Sequence, residues 1–115
     1  MNIQVYVYKR HFDVQRAERF LKERRIPFQM VDLKKHRLGM RELELFARPS
    51  GPMALVDTQQ EAVKSHPVAY TSDAGRILEY LLERPDFLRT PLIRDGQRTM
   101  IGFDEAKLLS WLKTP

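Results

Sequence analysis

The hydrophobic pattern at the start of the chain changes from strand to helix and back to strand, and this order limits the fold more than any other feature. In residues 3–7 the aliphatic side chains of Ile3, Val5 and Val7 alternate with Gln4 and Tyr6, which is typical of a strand with one buried face. Residues 14–24 place apolar side chains at helical spacing, and residues 28–33 return to a short strand-like run. Because strand–helix–strand crossovers are nearly always right-handed, we expect the two strands to lie parallel in one sheet.

Capping residues predict where the helices begin and end. Asp13 is expected to cap the first helix, since a short acidic side chain accepts hydrogen bonds from the first free N–H groups. Pro27 lies just beyond the predicted end of that helix at Arg25. Ser72 is expected to cap a later helix over residues 73–84. The predicted buried face of this later helix consists of Ile77, Leu78, Leu81 and Leu82.

The remaining segments predict further helices and a hairpin. Residues 39–48 predict a second helix, and residues 53–70 predict short helical pieces joined by loop. Residues 92–101 predict two strands around Asp95-Gly96, a dipeptide typical of a tight hairpin turn. Asp104 is expected to cap a last helix. The order of these elements predicts an α/β fold.

Length and charge set the broad class of the protein. The chain has 115 residues, which fits a single domain with enough residues for a hydrophobic core. No apolar run approaches the roughly 20 residues needed to span a bilayer, and no secretory signal pattern is visible, so we expect a cytoplasmic protein. The net charge of +5 is compatible with an acidic partner and requires none.

Four segments in chain order carry motifs that occur together in one protein family. The first strand and helix match in spacing, including Ala17 and Leu21. Residues 72–85 match the last helix of that family's insertion, and residues 87–93 match the segment that leads into its third strand. Residues 95–104 match its closing hairpin and helix start. Over nearly its whole length the chain therefore resembles the arsenate-reductase/Spx (ArsC-like) family of thioredoxin-like proteins.

The resemblance implies an architecture for the whole chain. Residues 1–115 are expected to form a single thioredoxin-like domain with a mixed β-sheet. A mostly helical insertion at about residues 38–85 is expected to separate an N-terminal strand–helix–strand half from a C-terminal strand–strand–helix half. A monomer is expected.

The resemblance also identifies the positions at which arsenate-reducing members carry out their chemistry. Those members have a cysteine thiolate at the start of the first helix, and His11 stands in that place here. They neutralise the oxyanion with three arginines, whose places are taken by Asp57, Thr90 and Phe103. The chain contains no cysteine. The resemblance therefore implies a redox-inactive member with no catalytic residue.

Basic residues around the His11 position suggest an anion contact. The candidate anion- or ligand-binding residues are Lys9, Arg10, His11, Gln15 and Arg16. Together with the free N–H groups of the first helix they would hold phosphate, sulfate or a glutathione carboxylate. The simpler alternative is a solvated basic patch with an ordinary loop histidine.

The other polar clusters have no pattern typical of a metal or nucleic-acid site. The three histidines, His11, His36 and His66, lie in separate connectors, so no metal site is expected. The basic connector at residues 34–37 lacks interleaved aromatic residues, so we expect a solvated loop and no nucleic-acid contact.

Thr90 and Pro91 form a second candidate site. In the family the matching proline is cis and faces the active loop, and the backbone of the preceding residue pairs with an extended peptide or with glutathione. The resemblance therefore implies a cis Thr90–Pro91 bond and a peptide-binding edge at Thr90. The alternative is that Pro91 only shapes the turn into the strand.

Two classes of function follow from the resemblance. The first is a binding or regulatory module that contacts another protein, as Spx-type members do by docking on RNA polymerase. The second is an arsenate-reductase-like or glutathione-dependent oxidoreductase or transferase that uses an external thiol. We expect the first class, with an unidentified protein partner and no bound cofactor, and glutathione or a small anion as the alternative ligand.

Overall fold

The computed structural model describes residues 1–113 and divides the chain into two compact units. The first unit comprises Met1–Asp32 together with the chain from Thr90 onward, and the second comprises Leu33–Arg89. The first unit contains every strand of the described sheet, whereas the second is built from helices and turns.

The first unit is a four-stranded mixed sheet with two helices, as an α/β thioredoxin-like fold requires. Its strands, in chain order, are β1 (Ile3–Val7), β2 (Phe28–Asp32), β3 (Leu92–Asp95) and β4 (Arg98–Ile101). Its helices are α1 (Phe12–Glu23) and α5 (Glu105–Lys113). The strands lie in the order β2-β1-β3-β4. β1 pairs in parallel with β2 and antiparallel with β3, which confirms the predicted crossover.

The core of the first unit is made by the inward face of the sheet and the apolar stripes of its two helices. Ile3 and Val5, alternate residues of β1, are completely buried, as period-two alternation requires. Each fully buried side chain of this size stabilises the fold by about 1.5–3 kcal/mol relative to an exposed one. The core cluster consists of Ile3, Val5, Ala17, Phe20, Leu21, Ile93, Met100, Leu108 and Trp111.

The hairpin of β3 and β4 turns at Gly96, as predicted, with a φ of 62° that favours glycine. The carboxylate of Asp95 accepts hydrogen bonds from the backbone N–H of Asn2 at 3.0 Å and from the guanidinium of Arg98 at 2.6 Å. The guanidinium of Arg98 also lies 5.5 Å from the ring centre of Trp111. Asp95 therefore ties the hairpin to the start of the chain, and Arg98 ties it to α5.

The Asp95 carboxylate should make the stability of the protein depend on pH. The N–H of Asn2 first, and then the guanidinium of Arg98, hold the pKa of Asp95 below its ordinary value, against the opposing effect of burial. A lowered folded-state pKa stabilises the fold above the unfolded pKa of about 3.9, and the contribution is lost as the pH falls through the folded value. We expect Asp95→Asn to cost about 1–2 kcal/mol of unfolding free energy at neutral pH, because a charge-assisted bond is lost.

Urea unfolding at pH 7 and near pH 3 measures this effect. The difference in unfolding free energy between wild type and Asp95→Asn should become smaller as the pH falls. Glu61→Gln is the matched control, since Glu61 is 90% exposed in its side chain and its ion pair with Lys64 lies at the surface. A difference for Asp95→Asn that stays constant down to pH 3 would contradict the assignment.

The second unit packs three helices and three short 3-10 turns. Its helices are α2 (Met40–Ala47), α3 (Glu61–Lys64) and α4 (Ala74–Glu83). Each 3-10 turn begins at a proline, whose missing N–H costs nothing in a first turn; the turns are Pro52–Leu55, Pro67–Ala69 and Pro85–Phe87. α2 and α4 pack against each other and against the first of these turns. The short helical pieces predicted for residues 53–70 are confirmed.

The prediction that Asp13 caps α1 is wrong. The helix begins at Phe12 with His11 as its N-cap, and no side chain caps it. Asp13 lies in the first turn instead, where its carboxylate is 3.4 Å from the guanidinium of Arg16. An acidic residue in the first turn still favours the helix through the dipole, which explains why the predicted cap lay two positions too late.

The start and the buried face of α4 also differ from the prediction. Asp73, and not Ser72, is the N-cap, and its carboxylate accepts the N–H of Arg76 at 3.2 Å. Both residue types are good caps, so two in succession leave the sequence ambiguous. Leu82 is 37% exposed, because it lies at the edge of the buried stripe formed by the other three predicted residues.

α1 ends two residues before the predicted position. Its last residue is Glu23, and Arg25 adopts a left-handed conformation with a φ of 56°. The N–H of the following residue, Ile26, donates to the carbonyl of Leu21 at 2.9 Å, which closes the helix. Glycine usually fills this left-handed position, and its absence left the sequence without a stop signal.

Candidate functional site

His11 lies at the N-terminal end of α1, in the position predicted for it. Its backbone is extended, with a φ of −150°, and its carbonyl accepts the N–H of Gln15 at 3.1 Å, the first hydrogen bond of the helix. Its side chain is exposed and bonds to none of the helix N–H groups. The imidazole is therefore free to contact a ligand or another side chain.

The structure brings Thr90 next to His11 across 79 residues of chain. The Nε2 atom of His11 lies 3.4 Å from the hydroxyl oxygen of Thr90, a long hydrogen bond. The Thr90–Pro91 peptide bond is cis, as the resemblance implied. The carbonyl of Pro91 accepts the N–H of Gly102 at 2.8 Å, which fixes the loop after β4 against the start of β3. The two candidate sites predicted from the sequence are thus adjacent in the structure.

The basic residues around His11 are partly neutralised. Arg10 forms an ion pair with Glu18 at 2.7 Å, and Arg16 is within 3.4 Å of Asp13. Lys9 is exposed and has no ion pair among residues 1–113, and Gln15 is exposed in α1. Only part of the positive charge counted in the sequence is therefore available. Anion binding at this loop stays a prediction, with a weaker attraction than the sequence alone suggests.

Phe103, in the place of one oxyanion-binding arginine, is used for packing. Gly102 before it has a φ of 77°, which turns the chain after β4. The ring of Phe103 lies 5.7 Å from that of Phe20, and the guanidinium of Arg16 lies 5.2 Å from its centre. This position therefore supplies an aromatic face where an arsenate site needs a positive charge.

Asp57, in the place of another of those arginines, belongs to the second unit and organises a turn there. Its carboxylate accepts the N–H of Gln59 at 3.2 Å and the side-chain amide of Gln60 at 3.1 Å. Its own N–H donates to the carbonyl of Phe87 at 2.8 Å. Its side chain is thus engaged in local bonds that hold the start of α3.

One exposed aromatic residue at this site was missed from the sequence. Phe12, the residue after His11, is 72% exposed. The signal that could have found it is the spacing of Phe12, Arg16 and Phe20, since residues four apart share a helix face.

Residues 1–113 contain neither a metal-binding cluster nor a membrane-spanning helix. No group of three or more histidine, aspartate or glutamate side chains lies close enough together there to hold a metal ion. No helix in that part of the chain has the length and apolar character needed to cross a membrane.

Comparison with known proteins agrees with this fold. A sequence model of the ArsC family matches residues 14–111. No protein of curated function matches the chain. Solved structures with the same fold include the YffB protein, at 17% identity and a TM-score of 0.84, covering 94% of this chain and 96% of that one. An ArsC-related protein of Brucella melitensis shares 23% identity at a TM-score of 0.72, covering 98% and 96%. An arsenate reductase of Vibrio cholerae shares 13% identity at a TM-score of 0.82, covering 96% and 97%.

Proposed function

The chain belongs to the ArsC family, and on that premise we propose that it is a redox-inactive member that works by contacting another protein. The observation that carries the proposal is the pair at the start of α1. Where the resemblance expects a thiolate, an imidazole lies 3.4 Å from the hydroxyl of Thr90. Neither group can form the sulfur bond through which thiol–disulfide exchange passes electrons.

The missing positive charges support the absence of arsenate reduction. A tetrahedral oxyanion and its transition state need preorganised donors and cations. The three positions that the resemblance assigns to arginine hold a hydroxyl at Thr90, a ring at Phe103 and a carboxylate at Asp57. The carboxylate is already used in a turn of the second unit. The thiolate nucleophile and the three oxyanion-binding arginines are absent together. A reductase with a single substitution would lack only one of these groups.

The backbone at Thr90 supports a binding role. Thr90 lies just before β3 and outside its ladder, and among residues 1–113 neither its N–H nor its C=O makes a backbone–backbone hydrogen bond. An extended peptide can pair with such an edge, in the way that β-strand addition joins a peptide to a sheet. His11 beside it offers an imidazole to a side chain of the peptide. The net charge of +5 favours an acidic partner.

Capture from a native lysate of the source cells tests the proposal. The immobilised wild-type protein should retain one or more proteins that are then identified by mass spectrometry. Thr90→Arg places a long charged side chain at the edge, so we expect it to reduce capture about tenfold, as loss of a central contact does. Gln97→Arg is the matched control. Gln97 is exposed in the hairpin turn, and its replacement by arginine adds the same charge as Thr90→Arg.

Equal capture by wild type and Thr90→Arg would show that the edge is not the contact. Retention of no protein above an empty-resin level, under several salt concentrations, would contradict the binding role itself. The folding of each variant is checked by circular dichroism before the comparison.

A further inference from the structure

Phenylalanine and arginine alternate at every fourth position along one face of α1. In chain order these residues are Phe12, Arg16, Phe20 and Arg24, the last being the C-cap. Side chains four residues apart are neighbours on a helix surface, so the spacing places each guanidinium beside a ring. Phe103, from the loop after β4, joins the row. We call these five residues the Phe–Arg ladder.

The members of the ladder stack on one another. The guanidinium carbon of Arg16 lies 5.7 Å from the ring centre of Phe12 and 5.2 Å from that of Phe103. The guanidinium carbon of Arg24 lies 4.4 Å from the ring centre of Phe20. A guanidinium stacked on a ring keeps its N–H groups at the edge of its plane, where they can bond a carboxylate, and loses less side-chain entropy on binding.

One ring of the ladder is buried and another is open. Phe20 is only 6% exposed and belongs to the core, whereas Phe12 is 72% exposed. An exposed aromatic side chain beside arginines has the composition of an interaction hot spot, in which a ring and a guanidinium supply most of the binding energy. The solvent-facing part of the ladder therefore has a composition suited to binding, in addition to covering the core.

An open cleft of about 460 Å³ adjoins the ladder. Besides ladder residues it is lined by Arg19, Glu23 and Glu105. Arg19 and Arg24 make no ion pair within residues 1–113, in contrast to Arg10 and Arg16. Two guanidinium groups at this cleft can therefore bond a ligand without first giving up a carboxylate.

We propose that the Phe–Arg ladder and its cleft form a docking surface for an acidic segment of a partner protein. Carboxylates of the segment bond Arg19 and Arg24, and an apolar side chain of the segment covers Phe12. Glu23 and Glu105 accept N–H groups of the partner and repel segments with acidic residues in the wrong register. The inference shares with the proposed function the need for a protein partner, but it uses residues other than the edge at Thr90.

A protein segment fits this surface better than a nucleic acid. Single-stranded nucleic acids bind by stacking successive bases on successive free rings, and the ladder offers one free ring, Phe12. Glu23 and Glu105 lie in the same cleft as the arginines, and such mixed charge suits a segment that carries both carboxylates and N–H donors better than a backbone with a phosphate at every nucleotide. The charge pattern is therefore mixed, as at protein–protein contacts.

A titration with defined peptides tests the proposal without knowledge of the natural partner. The probe is a short capped peptide of glutamates interrupted by leucines, and its glutamine counterpart is the charge control. We expect the acidic probe to shift the amide NMR signals of Phe12, Arg16, Arg19 and Phe103 most. Arg19→Glu/Arg24→Glu should weaken its binding at least about tenfold, since two bonds to charged groups are replaced by repulsion.

The matched control is Lys35→Glu/Arg37→Glu, which changes the net charge equally at exposed positions of the second unit. Phe12→Ala, at an exposed position, tests the ring without risk to the core. The proposal would be overturned if the two double charge-reversal variants weakened binding of the acidic probe equally. It would also be overturned if the glutamine peptide bound as tightly as the acidic probe. A single-stranded oligonucleotide that binds more tightly than the acidic probe, and shifts the same signals, would assign the surface to nucleic acid instead. The Thr90→Arg variant should bind the probe normally, which separates this result from the edge at Thr90.

Discussion

The wild-type protein is expected to show no arsenate reduction and no disulfide exchange, and His11→Cys is expected to gain a thiol without gaining arsenate reduction. The chain has no cysteine, so the variant would carry a single thiol, at the N-terminal end of α1. Helix N–H groups and the helix dipole stabilise a thiolate there. The three arginines that would bind the oxyanion would still be missing, and loss of even one oxyanion-stabilising donor lowers turnover about 10²–10³-fold. Arsenate turnover should therefore stay at background.

Two measurements separate the thiol from the activity. Titration with a disulfide reagent should find one reactive thiol per chain in His11→Cys, reacting faster than the thiol of Gln15→Cys, an exposed position one turn further along α1. A glutaredoxin-coupled assay then follows arsenate-dependent consumption of reductant. Turnover by wild type clearly above a boiled sample would contradict the redox-inactive assignment. Efficient turnover by His11→Cys would show that Thr90 and Phe103 do not prevent oxyanion binding.

Phe87→Ala should cause a large loss of stability in the second unit. Phe87 is completely buried, and its ring meets that of His66 edge-on at 4.9 Å. The guanidinium of Arg84 covers the same ring at 4.2 Å. Truncation leaves a cavity beneath two groups that cannot collapse into it without losing their own contacts. We expect the unfolding free energy to fall by about 3–5 kcal/mol.

The same substitution at Phe12 is the control, because that ring is 72% exposed. Phe12→Ala should change the unfolding free energy by less than about 0.5 kcal/mol, as surface substitutions do. Urea unfolding followed by circular dichroism gives both values. Similar losses for the two variants would mean that the ring of Phe87 is not part of a tightly packed cluster.

The sheet could be predicted because its signals are local. The alternation of Ile3 and Val5, and the turn at Gly96, each depend on neighbours within a few residues. The helix boundaries were less certain, since Ser72 and Asp73 are both good caps and only the three-dimensional position of a carboxylate decides between them. Arg25 in a left-handed conformation carries no signal in sequence, because its conformation is imposed by its surroundings.

The site could be predicted in its parts but not in its contacts. His11 and Thr90 were each identified through the resemblance, which also places Pro91 opposite the loop of His11, but the contact between the two side chains could not be predicted. The ion pair of Arg10 with Glu18 was equally invisible, and it removes charge that composition counts as available. The Phe–Arg ladder was missed although four of its members recur at every fourth position, because the exposure of Phe12 and the approach of Phe103 to Arg16 appear only in the structure.

The position of β1 in the sheet has a consequence for synthesis on the ribosome. β1 is an inner strand whose two neighbours are made at very different times: Ile3 pairs with Phe28 on one side and with Asp95 on the other. The second unit, Leu33–Arg89, is continuous in sequence and emerges from the exit tunnel before β3 does. A nascent chain therefore carries β1 with one unsatisfied edge while the helical unit already has all of its residues. That edge is open to strands of neighbouring nascent chains until the last quarter of the protein has emerged.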